Sequence, residues 1–150
     1  MTDSVTEMDV PEDGELVDEN PVDRIALYAF DQAREQLEEY GGFNPFVILL
    51  EGENIHIEEF PFDDDEECRA AVQTSVFQME KLISAYVYCY DGYAELDEGE
   101  MDGILVERGI KGNAEGEAFM RAYEAHDDHY HFEEIFYSLG AAPTFFATQE

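Results

Sequence analysis

The apolar positions change period along the chain, and the changes mark its elements. Val22, Ala26, Phe30, Ala33, Leu37 and Tyr40 recur at the spacing of one face of an α-helix. Asn20 stands where an N-cap belongs, Pro21 at the first helical position and Asp23 in the first turn, while Gly41-Gly42 supplies a stop. Phe46-Val47-Ile48-Leu49-Leu50 is an unbroken apolar run and reads as a buried strand reaching Glu51. After the turn Gly52-Glu53-Asn54, Ile55 and Ile57 alternate with His56 and Glu58, as in a half-buried strand. The two strands form a hairpin that Pro61 ends.

Asp63-Asp64-Asp65-Glu66-Glu67 precedes a second helical stripe of Cys68, Val72, Ser75, Val76, Met79, Leu82 and Ile83. Carboxylates at a helix start accept from free N–H groups and oppose the helix dipole, which explains the acidic run without a ligand. Ala85 to Tyr90 is a strand with Tyr86, Tyr88 and Tyr90 on one side and Val87 and Cys89 on the other. Asp91-Gly92 suggests a bulge or bend, and Asp97-Glu98-Gly99-Glu100 a turn. Met101 to Arg108 is the next strand, and Lys111-Gly112-Asn113 the next turn. Residues 117–125 contain good helix formers, but a meander leaves no room for a long crossover, so a strand is expected there. Strand and short helix both remain open for residues 130–137. Phe145 and Phe146 are expected to pack back on the body.

The economical architecture for this order is α+β: two helices packed on one face of a mainly antiparallel sheet of about five strands, in the order α-β-β-α-β-β-β. Over residues 21 to 125 this order of elements resembles that of roadblock- and longin-type interaction domains. The resemblance is one of layout and implies a fold.

Composition changes this picture in one respect. The chain of 150 residues carries 38 Asp and Glu against 7 Lys and Arg, a formal charge of −31. Residues 1–20 hold no Lys or Arg and no sustained apolar period, so a flexible acidic tail is expected there, followed by a single domain over 21–150. The tail does not account for the charge: residues 24–150 still hold 29 acids against all 7 bases. Such a surface repels phosphate and anionic headgroups, which argues against direct nucleic-acid or membrane binding. It favours weak, non-specific cation binding, a protein partner or self-association. The start of the sequence lacks the basic and apolar regions of a signal peptide, and Cys68 and Cys89 make no disulfide framework, so a cytoplasmic location is expected.

Two clusters are candidates for chemistry. His126, His129, His131 and Glu133 offer imidazole and carboxylate ligands for a transition metal, with His129, His131 and Glu133 on one side if the segment is extended. Tyr86, Tyr88 and Tyr90 offer an aromatic interaction surface, unless that side lies under a helix. Glu98, Glu100, Asp102 and Gly103 imitate the start of a calcium loop, but the twelfth position is Gly109 and the bidentate ligand is missing. Nucleophile motifs and phosphate loops are lacking, and no cofactor is implied. The expectation is an interaction or regulatory module without catalytic activity. The alternatives are a nucleic-acid mimic that inhibits a basic protein and a metal-dependent enzyme built on the histidine cluster. A fourth reading takes the acidity as adaptation to high salt.

Overall fold

A computed structural model describes residues 20–96 and 99–146. Its elements in chain order are α1 (Pro21–Tyr40), β1 (Phe46–Glu51), β2 (Asn54–Glu59), α2 (Asp65–Met79), β3 (Ala85–Leu96), β4 (Gly99–Ile110), β5 (Gly116–Ala125), β6 (Tyr130–Phe132) and β7 (Tyr137–Ala142). Of the acidic tail expected over residues 1–20, residues 1–19 lie outside the described residues, and Asn20 is the N-cap of α1. Both helix starts follow from capping. Asn20 Oδ1 accepts from the N–H groups of Val22 and Asp23, and an Asp64 carboxylate oxygen accepts from Glu66 N–H. Gly41 closes α1 in the left-handed conformation at φ 79°, where its N–H donates to the Leu37 carbonyl.

The strands form one antiparallel sheet in the order β2-β1-β3-β4-β5-β6, with β7 also paired to β5. The outer side of β5 is shared: β7 runs along Gly116–Met120 and β6 along Tyr123–Ala125. The class is the expected one. The count is larger, seven strands in place of about five, because the segment after residue 125 supplies β6 and β7. Residues 117–125 are strand, as the meander argument requires. No bend occurs at Asp91-Gly92; β3 continues to Leu96 in unbroken register with β4.

The helices do not share a face. Ile25, Ala26, Ala29, Phe30, Ala33 and Leu37 of α1 pack on Phe46, Ile48, Leu50, Val87, Cys89, Ile104 and Val106. Cys68, Val72 and Val76 of α2 pack on the other side, against Val47, Leu49, Tyr86 and Tyr88. The reason lies in β1. A strand apolar at every position from 46 to 50 has two sides to bury, and one helix layer can cover only one. Phe145 and Phe146 complete the α2 layer, with ring centroids 5.2 and 5.4 Å from Tyr86. The Tyr86 hydroxyl accepts from Phe145 N–H at 2.9 Å.

Tyr86 lies over Gly109, its cross-strand partner on β4. A Cβ at residue 109 would overlap the Tyr86 ring, which is fully buried and has no room to swing aside. Gly109→Ala is therefore expected to destabilise the fold by about 1–3 kcal/mol. Urea denaturation checks this, and an unchanged midpoint would contradict the close packing.

Candidate functional site

Most of the few cations are committed to acceptors within the protein itself. Arg69 of α2 donates to both carboxylate oxygens of Glu107 on β4, at 3.0 and 2.5 Å, and Tyr90 donates to the same carboxylate at 2.6 Å. Glu107 is buried, and the guanidinium also lies near the rings of Tyr88, Tyr90 and Phe145. The hydrogen bond to Glu107 is the largest cause that holds the Arg69 pKa above its usual value, joined by the charge of Glu107 and by Tyr90 and Tyr88 and opposed by desolvation. The next residue, Arg108, points to the opposite side of the sheet. There it pairs with buried Asp23 of α1, bonds exposed Glu117 at 2.6 Å and lies over the Phe119 ring. Consecutive residues of β4 thus tie one helix each. Arg121 donates to the Glu133 carbonyl at 2.8 Å between the rings of Phe132 and Phe136, and Lys111 donates to the Glu80 carbonyl. Arg34 pairs with Glu38 and stacks on Phe132. With these cations turned to internal acceptors, the outward surface is dominated by carboxylates.

Not every carboxylate is outward. Asp91 is exposed as a residue, but its carboxylate accepts from the Tyr123 hydroxyl at 2.7 Å in a part-buried bond. Burial raises its pKa, and the nearby charge of Asp102 raises it further. A carboxyl group whose pKa is raised by folding stabilises the folded state fully below its unfolded pKa. That contribution is lost as pH rises through the folded value.

Of the residues proposed for metal binding, the structure brings together two, His126 and His129. His126 and His129 face each other at the turn from β5 to β6, with stacked rings 4.7 Å apart and a bond from His126 N–H to the His129 carbonyl. His126 lies 3.6 Å from Glu124, and His129 bonds Asp128 at 2.7 Å, which lowers the Asp128 pKa. His131 is opposite Glu124 on the β5–β6 ladder. Glu133 instead accepts from the Tyr137 hydroxyl. Among the described residues, no three His, Cys, Asp or Glu side chains converge on a common metal position. The tyrosine row is likewise placed inside. Tyr86 and Tyr88 are core residues under α2 and the C-terminal phenylalanines, so they present no open surface, and only Tyr90 is partly exposed. An open groove of about 500 Å³ beside β4, β5 and β7 includes Arg108, but that guanidinium is already bound to Asp23 and Glu117.

The sequence reading missed two things. Glu107 and Asp23 are buried partners of arginines, a role that the alternation of β4 hints at by placing Glu107 on the same side as Leu105. The other is β2, the outermost strand, with all six residues exposed. Ile55 and Ile57 are 42% and 48% exposed there, which makes β2 an open apolar edge. No described helix is long and apolar enough to cross a membrane.

Comparison with protein-family models, with curated proteins and with solved structures finds no match for this chain. The site must therefore be read from its own geometry.

Two variants test these electrostatics. Arg69→Met strands a buried carboxylate and is expected to destabilise the protein by about 2 kcal/mol. That is less than for a fully buried pair, because Arg69 reaches solvent. Adding Glu107→Leu is expected to restore most of the loss in chemical denaturation. Asp91→Asn is expected to raise the melting temperature at pH 7, with the gain shrinking as pH falls toward the carboxylate range. A gain independent of pH in thermal melts would contradict the burial of a charged Asp91.

Proposed function

We propose that this chain is a protein-interaction module that receives a basic protein on its negative surface and has no catalytic role of its own. The observation that carries the reading is the inward commitment of Arg69, Arg108, Arg121 and Lys111. A chain with −31 formal charge that also turns four of its seven cations to internal acceptors presents a predominantly negative field. Such a field steers a positively charged partner and suppresses association with anions. The open edge of β2 gives such a partner somewhere to bind.

The reading is tested by affinity capture at low salt followed by stepwise elution. Captured proteins are expected to be basic, and their association to weaken by at least about tenfold between 0.1 and 0.5 M NaCl, as surface charge is screened. Capture that ignores salt, or the recovery of acidic proteins only, would overturn it. Competition by duplex DNA for the captured partner would narrow the reading to nucleic-acid mimicry.

A further inference from the structure

The free edge of β2 has a defined chemistry. In the antiparallel β1–β2 ladder, residue numbers of opposed positions run Phe46↔Glu59 to Glu51↔Asn54. The bond from Phe60 N–H to the Pro45 carbonyl continues the same ladder and fixes its phase. Hydrogen-bonded and non-bonded pairs alternate in an antiparallel ladder, so the even-numbered residues of β2 bond β1. The N–H and C=O groups of Ile55, Ile57 and Glu59 consequently point away from the sheet. Among the described residues nothing pairs with them.

Exposed edges are usually blunted by lysine, proline, a bulge or short length. The opposite margin of this sheet follows the rule: β6 has three residues, and the pairing of β7 with β5 shifts register between Ala118 and Phe119. β2, Asn-Ile-His-Ile-Glu-Glu, has no lysine, proline or bulge and is in unbroken register over six residues; its charged residues are Glu58 and Glu59, which repel an acidic strand but not a basic one. Its two sides differ. Ile55 and Ile57 lie on the α1 side, opposite Leu50 and Ile48, with Glu59 beyond them. On the α2 side, His56 bonds Glu51 at 2.7 Å and Glu58 accepts from Ser75 at 2.8 Å.

We infer that β2 is a docking edge for an extended basic segment of another protein, which adds to the sheet as an antiparallel strand with apolar side chains beside Ile55 and Ile57 and Lys or Arg on the other side, beside Glu58. Charge selects this occupant. A second copy would bring another body of −31 formal charge against this one, whereas a basic strand is attracted both by Glu58 and Glu59 and by the whole surface. The inference rests on the proposed function and names the element that carries it.

The probe is a ten-residue peptide alternating valine and lysine, titrated into the full-length protein by calorimetry and followed by NMR. Binding is expected with shifts centred on residues 54–59, and a valine–glutamate peptide is expected not to bind. Ile57→Pro removes an outward N–H and no bond to β1, so the fold should persist while affinity falls by at least about tenfold. If that variant proves unfolded by circular dichroism, Ile55→Lys with Ile57→Lys leaves the backbone intact and should weaken binding to the same degree. The lysine peptide N-methylated on alternate residues keeps its charge but loses strand pairing, and it is expected to bind at least about tenfold more weakly. Equal binding of the methylated peptide, or of the unmethylated one by folded Ile57→Pro, would overturn the edge docking. Salt-sensitive capture of basic proteins would then still stand for the general reading. Concentration-dependent dimerisation that Ile57→Pro abolishes would assign the edge to a second copy and overturn the basic occupant.

Discussion

The need to bury β1 and β3 on both sides governs this structure. Phe46 to Leu50 and Ala85 to Cys89 are inaccessible at every position, so their odd- and even-numbered side chains require separate covers. α1 covers one side. α2, joined by Phe60, Phe145 and Phe146, covers the other. The hairpin that brings β1 to the sheet also carries β2 one strand beyond the cover, and all of β2 is exposed as a result. The core and the open edge thus have one origin: two helices suffice for the central strands and leave the margin uncovered.

Much of this was legible in the sequence, and the failures have specific causes. Caps and period located both helices, because Asn20-Pro21 and the acidic run before Cys68 act through local bonds that tertiary packing does not alter. Alternation located β3 and β4. The helix placement was misjudged because economy of layers was weighed above the unbroken run at 46–50, which already implied two covered sides. Residues 130–137 read as either strand or helix, and β7 beyond them gives no local signal, because β6 is short and both strands are defined by pairing with β5, a non-local contact that local patterning does not encode. The histidines drew attention as a compositional cluster, but metal binding depends on convergence of side chains, and spacing alone does not determine that.

The tyrosines make the same point about burial. One side of a strand with three aromatic rings reads equally well as an interaction surface or as core, and only the position of the second helix decides. Once α2 lies on that side, Tyr86 and Tyr88 become packing residues, and Tyr90 becomes a hydrogen-bond donor to Glu107. Among the apolar residues left outside are the less conspicuous Ile55 and Ile57, whose exposure follows from their place at the end of the sheet order.

Charge then adds specificity to this arrangement. With 38 carboxylates available, an arginine has many partners to choose from, and buried pairs contribute less to net stability than to the choice among alternative arrangements. Glu107 and Arg108 are adjacent on β4 and point to opposite sides, so each holds a different helix: Arg69 brings α2 to one side and Asp23 brings α1 to the other. Exchanging the sides would set Asp23 against Glu107 and Arg69 against Arg108, two like-charge contacts in a half-dry interface. The apolar pattern requires that both sides be covered, and this pair of opposite charges specifies which helix covers which. The same assignment engages two of the seven cations with buried carboxylates, so the device that orients the helices also leaves fewer cations to oppose the surface carboxylates.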